Sequence, residues 1–435
     1  MAIYNRLPAH ERLNFFFGEL FHLMRTADPS TYEKFLQRVE EEFRRQGYRE
    51  KNLGVENILI VRLDAIGDQI LLSGFLREVR RNFPAARITL VTSSLAAPMV
   101  EFCPYLNEVL TLDRKLLSKN FLEMMEQVAV FCHENLWQKK FSVAFSPRWD
   151  FDTAAALLTC WLSGARERIG YCVNPFQSWL PNPTPQFVPR FGFLLTKNIV
   201  TPQRVISEVE KNFYLLEAVG LKVEQTHMEL FFGAVDAQRA SELLENIPST
   251  SKKVTLGIGG SAPGKRYPVE KYLVALKELL KKDLVFVIVG GRAEIEDAAF
   301  LEKNLPPEKV LNLVGKLTVC ETEAVISQTD LYLGNDTGTV HMAAAAHVPV
   351  IVLHRTAIDR DDILPAILNE YRRFPPYQTK AIALRPAHPL GECAADPPVY
   401  GLCRHPEIPH CIAQITPQEI VAAVEQMERE LSGRN

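Results

Sequence analysis

Four stretches of the sequence combine glycines with polar or charged side chains, a combination that can bind phosphate or transfer a proton. They are DAIGDQ (64–69), GGSAPGKRYP (259–268), GGRAE (290–294) and NDTGTVH (335–341). Unpaired N–H groups at the start of a helix bind phosphate, and a nearby cation strengthens that binding. A carboxylate at such a position can act as a general base. The chemistry therefore depends on the elements that carry these stretches.

The first stretch follows the apolar run ILIVRL, which predicts a buried strand, and precedes an amphipathic helix. Gly67 permits a tight turn there, and Asp68 stands in the first turn of the helix. Ligands of open parallel sheets bind beyond the carboxyl ends of the strands, so Asp68 is predicted to face a cleft, with Asp64 and Gln69 beside it. A simple helix cap is the alternative for Asp68.

The second and fourth stretches both follow apolar runs and both open helices. NDTGTVH offers free N–H groups from Asp336, Thr337 and Gly338, which suit a pyrophosphate, although a capped turn is equally consistent. His341 could donate to a phosphate or sugar oxygen, or simply be packed. GGSAPGKRYP offers backbone room at Gly260, the Ser261 hydroxyl and the Lys265 ammonium.

Two nucleotide-binding patterns are absent from these stretches. Arg266 follows Lys265 where the Walker pattern needs Ser or Thr, which argues against a P-loop nucleotidase. The first strand of neither half is followed by GxGxxG, which argues against a dinucleotide oxidoreductase. In GGRAE, Glu294 could bind ribose hydroxyls, with a solvated helix start as the alternative.

Strand and helix patterns alternate twice along the chain. The first series runs from ILIVRL to the helix near 152–163, and the second from VTLGIG to VPVIVLH. Prolines recur between 171 and 204, which places the domain change there. We predict an N-terminal helical extension (1–50), two doubly wound α/β domains (51–200 and 201–415) and a final helix (416–435) that packs back toward their junction.

The bulk composition limits the possible classes of protein. The chain has 435 residues, of which 47% are hydrophobic and 23% charged, as expected for a globular protein of two or three domains. A net charge of −3 gives no reason to expect nucleic acid. The first twenty residues lack the pattern of an export signal, and no apolar run is long enough to span a bilayer. A cytoplasmic protein with at most peripheral contact to the inner membrane is predicted.

These motifs, in this order, resemble those of the ADP-heptose:lipopolysaccharide heptosyltransferases, glycosyltransferase family 9. The resemblance covers most of residues 57–355, including the run from ILIVRLDAIGDQ to ITLVT, ERIGY, GGSAPGKRYP and DLYLGNDTGTVHMAAAAHVPVIVL. It implies the GT-B fold, in which two Rossmann-like domains face each other across a cleft. It also implies transfer of a heptose or related sugar from an ADP-sugar to a bacterial cell-surface glycolipid such as lipopolysaccharide core. A protein acceptor, as in relatives that modify autotransporters, is the alternative.

The resemblance also implies roles for single residues. Asp68 matches the family's proposed catalytic base, and Lys265 would stabilise the departing nucleotide. The residues that would hold the donor are Gly260, Ser261, Glu294, Asp336, Thr337, Gly338 and His341. The acceptor would meet Asp64, Gln69, Arg148 and Arg168. Because Lys265 and helix N–H groups can neutralise the leaving diphosphate, no catalytic metal is expected.

Two alternatives from other classes stay open: a nucleotide-sugar epimerase or related enzyme without transfer, and a binding protein of the same shape without turnover. The first would hold a dinucleotide, and the second would be insensitive to loss of Asp68.

A late cluster of thiols and imidazoles has no counterpart in the resemblance. Cys393, Cys403, His410 and Cys411 could hold a structural zinc or iron ion, as soft and borderline ligands do. Their spacing lacks the usual CxxC pairs, so unligated thiols or a local disulfide are the alternatives.

Overall fold

The computed structural model describes residues 41, 56–112, 121–149, 155–171, 194–202, 204–363, 369–391, 405 and 407–433. The predicted N-terminal extension, apart from residue 41, lies outside these ranges, as do Cys393 and Cys403. Among the described residues, none of the helices combines the length and the apolar character needed to cross a membrane.

The described strands form two sheets of six parallel strands each, one in each half of the chain. The first sheet contains β1 (Asn57–Arg62), β2 (Arg87–Thr92), β3 (Glu108–Thr111), β4 (Val143–Ser146), β5 (Glu167–Gly170) and β6 (Lys197–Asn198). The second contains β7 (Lys252–Gly257), β8 (Leu284–Val289), β9 (Val310–Asn312), β10 (Leu331–Asn335), β11 (Val350–Leu353) and β12 (Ala381–Leu384).

Helices connect the strands within each half. Those of the first half and the connecting segment are α1 (Ile66–Asn82), α2 (Phe121–Asn135), α3 (Ala155–Leu162), α4 (Glu208–Glu217) and α5 (Ala234–Leu244). Those of the second half are α6 (Val269–Leu279), α7 (Ile295–Asn304), α8 (Val319–Ser327), α9 (Gly338–Ala345), α10 (Arg360–Ile363), α11 (Glu370–Arg373) and α12 (Pro417–Leu431).

Both sheets have the same strand order. The first runs β3-β2-β1-β4-β5-β6 and the second β9-β8-β7-β10-β11-β12, so each has the doubly wound 3-2-1-4-5-6 order of a Rossmann fold. This confirms the predicted fold class. The strand order reverses between β1 and β4 in the first sheet and between β7 and β10 in the second. Ligands of such sheets bind beyond these two switch points.

The run ILIV in β1 shows why apolar residues follow each other without a break. Leu59 and Val61 pack into one apolar cluster, whereas Ile58 and Ile60 pack into another. Successive side chains of a strand point to opposite faces, so a sheet covered by helices on both faces must be apolar at every position. The period-2 packing therefore explains the continuous run.

A shared apolar cluster joins the two halves. Ile70 and Leu71 of α1 pack in the same cluster as Val340 and Met342 of α9. The N-terminal ends of these two helices consequently approach each other. The domain boundaries predicted from the sequence stay predictions, although the two sheets fall on either side of the predicted change.

The final helix corrects one prediction. Ile420, Ala423, Val424 and Met427 of α12 are buried in the apolar cluster of the second sheet, with residues of β7 and α6. At its polar side, Glu428 lies 2.9 Å from the Lys282 ammonium of the same half. Among the described contacts, the helix thus packs on the second half and not across the junction, because its apolar stripe meets the buried apolar residues of α6. Thr416 caps its N-terminus.

Candidate active site

A cleft of about 500 Å³ lies between the two switch points. Loops from both halves line it, including the start of α1 on one side and the ends of β7, β8 and β10 on the other. It brings together most of the residues expected from the sequence: Asp68, Gly260, Ser261, Lys265, Glu294, Asp336, Thr337, Gly338 and His341. These residues are separated by up to 273 positions in sequence, from 68 to 341, and only the facing sheets make them neighbours.

The starts of α1 and α9 touch each other at two glycines. A β-carbon at Gly67 would lie 3.1 Å from Cδ2 of His341 and 3.5 Å from Cα of Gly338. A β-carbon at Gly338 would lie 3.3 Å from Cγ2 of Ile66. Two positive helix ends therefore meet at the cleft, which favours an anionic ligand between them.

Asp68 both caps α1 and lines the cleft. Its Oδ2 accepts the N–H of Ala65 at 3.3 Å, which is helix capping, and its Oδ1 accepts from Nη2 of Arg62 at 3.1 Å. A quarter of the side chain is exposed and lines the cleft. The carboxylate is thus oriented by two contacts and is still accessible from the cleft.

Arg62 was not predicted as a site residue, yet it organises this side of the cleft. Its guanidinium lies 2.6 Å from Asp64, 3.1 Å from Asp68 and 3.7 Å from Glu208, and it also donates to the carbonyl of Pro147. Only 2% of Arg62 is exposed. A cation at the end of an otherwise apolar strand was the signal in the sequence that could have identified it.

The four residues predicted to meet an acceptor are engaged inside the first half. Asp64 is buried between Arg62 and Arg148, with which it forms ion pairs. Gln69 is buried and accepts from the Thr92 hydroxyl. Arg168 is buried and donates to the carbonyls of Leu194 and Ala165. The acceptor role of these four residues therefore stays a prediction, although the contacts described for all four lie within the first half.

Asn335 fixes the loop after β7 and the loop after β10 to each other. Its Nδ2 donates to the carbonyls of Ile258 and Gly259, and its Oδ1 accepts from Tyr267 N–H and the Tyr272 hydroxyl. The residue is fully buried. All of the ordinary hydrogen-bonding capacity of the amide is used, so the loop after β7 and the loop after β10 keep one relative position.

Lys265 is a cation of the second-half side of the cleft, and carboxylates surround it. Its ammonium lies 3.3 Å from Asp336 and 3.7 Å from Glu370, and His354 lies 3.3 Å from Asp336. Burial alone would raise the pKa of Asp336, but Lys265 and His354 hold it well below its usual range. Burial lowers the pKa of Lys265, and Asp336 and Glu370 outweigh this effect and raise it. Lys265 is therefore charged at neutral pH and faces the cleft.

Glu294 follows β8 and lines the second-half side of the cleft. One carboxylate oxygen accepts the N–H of Gly291 at 2.8 Å, and the other lies 2.9 Å from Arg266. β-carbons at Gly259 and Gly290 would each lie within 3.5 Å of this side chain. The glycines leave room for the carboxylate between two strand ends, where it contributes to the cleft wall.

His341 is buried in the first turns of α9 and lines the cleft. Its Nδ1 has no hydrogen-bond partner among the described residues. Burial lowers the pKa of His341, although Asp336 and Asp68 oppose the effect. The ring is consequently neutral at pH 7 and can offer one N–H to a bound oxygen.

The predicted metal cluster is only partly within the described ranges. There, the His405 and His410 rings stack with centroids 4.2 Å apart, and Cys411 lies 3.5 Å from Nδ1 of His410. No group of three or more metal-ligating side chains occurs among the described residues. Cys393 and Cys403 lie outside them, so the predicted structural metal stays a prediction.

Sequence reasoning missed a second set of charged residues behind the cleft. His354 follows the apolar strand β11, which was a usable signal. Glu370 and Arg373 lie in an irregular, proline-containing stretch that offered none. Their side chains are placed only by the packing of α11 against the junction.

Two Rossmann-like domains with a cleft between their switch points are the architecture of the GT-B fold. Residues 190–361 match the family model of glycosyltransferase family 9 (heptosyltransferase). The chain is therefore a glycosyltransferase with a heptosyltransferase-like family 9 domain. This confirms the class of enzyme expected from the motifs.

Solved structures agree on the fold. A family 9 glycosyltransferase from Veillonella parvula superposes with a TM-score of 0.66 at 17% identity, covering 88% of this chain and 99% of its own. ADP-heptose LPS heptosyltransferase II of E. coli gives 0.61 at 16% identity, covering 86% and 99%. The E. coli heptosyltransferase WaaC, solved with ADP-2-deoxy-2-fluoro heptose, gives 0.58 at 16% identity, covering 85% and 99%.

One curated protein is also similar in sequence. A protein of Haemophilus influenzae with a provisional glycosyltransferase assignment is 22% identical over 312 residues, which is 68% of this chain and 82% of that protein.

Proposed function

We propose that this enzyme transfers a heptose, or a closely related sugar, from an ADP-sugar to a hydroxyl of a bacterial cell-surface glycolipid, with inversion at the anomeric carbon. The observation that carries the proposal is the opposition of charges across one cleft. Asp68 stands on one side, and Lys265 with the start of α9 stands on the other. Two of the similar structures are an ADP-heptose LPS heptosyltransferase and a heptosyltransferase with ADP-2-deoxy-2-fluoro heptose, which supports this donor.

On the donor side, the diphosphate would lie between Lys265, the Ser261 hydroxyl and the free N–H groups of Thr337 and Gly338. The Thr337 hydroxyl does not cap α9 but bonds to the Thr339 hydroxyl, so the N–H groups of the first turn stay available. Glu294 would accept from ribose hydroxyls, and neutral His341 would donate to a phosphate or sugar oxygen.

In the proposed reaction, Asp68 removes the proton of the acceptor hydroxyl while its oxygen attacks the anomeric carbon. The bond from that carbon to the diphosphate oxygen breaks, and ADP leaves with the electron pair. Lys265 and the dipole of α9 stabilise the added charge on ADP. One displacement at one carbon inverts its configuration.

The charge of the leaving group is met by side chains and N–H groups of this chain, so we propose that the reaction needs no divalent metal. Turnover in EDTA should equal turnover in Mg²⁺. A loss of activity in EDTA that Mg²⁺ restores would contradict this part of the proposal. A cytoplasmic site of action, with peripheral contact to the inner membrane, belongs to the same proposal and is checked by fractionation.

The central test is a donor panel. ADP-heptose, ADP-glucose, UDP-glucose and GDP-mannose are each incubated with the enzyme and a truncated lipopolysaccharide-core acceptor, and the product is examined by mass spectrometry and NMR. We expect transfer from ADP-heptose, an inverted anomeric configuration and product formation reduced by at least about 10²-fold with Asp68→Asn. Product from a UDP- or GDP-sugar only, or a retained configuration, would overturn the proposal.

A further inference from the structure

Five buried residues meet where the two halves join, behind the cleft. We call them the junction cluster: Arg62, Trp149, Glu208, Lys211 and Arg373. Each is at most 4% exposed. Arg62 and Trp149 follow or end strands of the first sheet, Glu208 and Lys211 belong to α4, and Arg373 ends α11 of the second half. Three parts of the chain therefore contribute charges to one buried site.

Glu208 is the carboxylate that these parts share. It accepts from Nε of Arg373 at 3.1 Å and from Nη2 of the same guanidinium, and it lies 3.7 Å from Arg62 and 3.4 Å from Lys211. The Lys211 ammonium and the Arg373 guanidinium also lie over the Trp149 ring, 3.6 Å and 4.8 Å from its centroid. Removal of one partner from such a buried ion pair is strongly destabilising, because it leaves a buried charge uncompensated.

Each of the two arginines that contact Glu208 also contacts a residue that lines the cleft. Arg62 donates to Oδ1 of Asp68. Arg373 packs over Phe374, which lines the cleft, and α11 also carries Glu370, 3.7 Å from the Lys265 ammonium. Glu208 thus stands between the two sides and is not among the described residues that line the cleft.

We propose that Glu208 is a positioning residue: by holding Arg62 and Arg373 on one carboxylate, it sets Asp68 opposite the donor loops. The proposal rests on the proposed function of Asp68. Without the charge of Glu208, two buried guanidinium groups from opposite halves are left with less compensation, and the junction opens. The donor loops keep their own geometry, because Asn335 and its partners lie entirely in the second half.

The variant that tests this is Glu208→Gln, which keeps the size of the side chain and removes its charge. Its matched control is Glu210→Gln, two residues along α4, where the exposed side chain only caps the helix. We expect Glu208→Gln to lower the turnover of ADP-heptose by about tenfold or more, since displaced catalytic groups lose rate steeply. The Kd of ADP, measured by calorimetry, should change by less than about threefold, because Asn335 holds the loops after β7 and β10 from within the second half. Glu208→Asp, which restores a charge, should recover part of the turnover.

The rate at which a native thiol is alkylated measures directly whether the junction has opened. Cys320 of α8 is 5% exposed, and its Sγ lies 3.3 Å from the carbonyl of Pro98 in the first half. Cys132 is fully buried in the core of the first half. Alkylation followed by peptide mass spectrometry, without nucleotide, should show faster labelling of Cys320 in Glu208→Gln than in Glu210→Gln, with Cys132 unchanged.

Wild-type turnover in Glu208→Gln, or labelling of Cys320 at the wild-type rate, would overturn the proposal. If Cys132 is exposed as well, the double variant Glu208→Gln with Arg373→Met, which removes one charge of each sign, is measured instead of the single variant. The same two outcomes would then overturn the proposal. If the wild-type enzyme does not use ADP-heptose, the proposed function fails, whereas the labelling of Cys320 still decides the role of Glu208 at the junction.

Discussion

The two switch points share one topology and carry opposite chemistry. At the first, between β1 and β4, the loop places Asp68 at the cleft, and an arginine at the end of the strand orients it. At the second, between β7 and β10, the loops place Lys265 and an uncapped helix start at the cleft, while the carboxylate of Asp336 is turned toward Lys265 and His354.

The difference shows how a repeated fold divides the work of a transfer reaction. Strand order fixes where ligands bind in both halves. The sign of the charge exposed there determines which ligand: a carboxylate suits a hydroxyl that must lose a proton, and a cation with free N–H groups suits a diphosphate. Changes on the acidic side should therefore affect the rate, and changes on the cationic side should affect binding.

The largest effect is expected for Asp68→Asn, which removes the base and keeps the side-chain shape. Turnover should fall by about 10²- to 10⁴-fold, the usual contribution of a general base, while the Kd of ADP stays close to that of the wild type. Steady-state kinetics and calorimetry measure the two quantities. Glu101→Gln, an exposed carboxylate of the same half, serves as the control. Equal losses of rate and ADP affinity would contradict the division between the halves.

Lys265→Met tests the cationic side. The Kd of ADP should rise by about 10- to 100-fold, since a hydrogen bond to a charged group contributes about 1.5–3 kcal/mol. The melting temperature should also fall, because Asp336 and Glu370 lose a buried partner. Lys277→Met, at an exposed position of α6, is the matched control. An unchanged Kd with reduced turnover would show that Lys265 affects the rate and not binding, which would contradict the division between the halves.

Gly67→Ala tests the contact between the two regions. The added methyl group would lie 3.1 Å from Cδ2 of His341, so the loops must move apart by a few tenths of an ångström. We expect kcat/KM to fall by about tenfold, because small displacements of reacting groups slow a reaction steeply. In a double-mutant cycle, His341→Ala and Gly67→Ala should not be additive, because the clash disappears with the ring. Additive effects would show that the contact is not the cause.

The last prediction concerns stability and not activity, at a buried acid of the second half. Glu323 of α8 is buried, and one carboxylate oxygen has no hydrogen-bond partner among the described residues. Burial raises its pKa from 4.5 to about 8. Between these values the folded protein keeps a proton that the unfolded chain has lost, so the unfolding free energy falls as the pH rises, on the order of a few kcal/mol in total.

Glu323→Gln should remove this dependence. Urea unfolding at pH 5 and pH 9 should show a smaller loss of stability for the variant than for the wild type, with Glu302→Gln, an exposed glutamate of α7, behaving as the wild type. An identical pH dependence in wild type and Glu323→Gln would show that the carboxylate is solvated or paired.

Much of the candidate site could be predicted from local pattern. Gly67 with Asp68, and the NDTG stretch before α9, follow apolar strands and open helices, so their place at strand ends required no tertiary information. For Gln69 and Arg168, the local pattern does not reveal which side of a strand end the side chain faces. Both side chains are buried in the first half, where Gln69 accepts from the Thr92 hydroxyl and Arg168 donates to the Leu194 carbonyl.

The sequence by itself determined the two α/β series, the strand-end loops and the chemical character of each loop. These follow from hydrophobic period and helix-start residues, which act over a few positions. Only the tertiary structure decided which charges face each other. Arg62, Glu208 and Arg373 are up to 311 positions apart, from 62 to 373, and meet because two sheets pack through one shared apolar cluster. Pairing of buried charges depends on distance in space, and no local pattern encodes it.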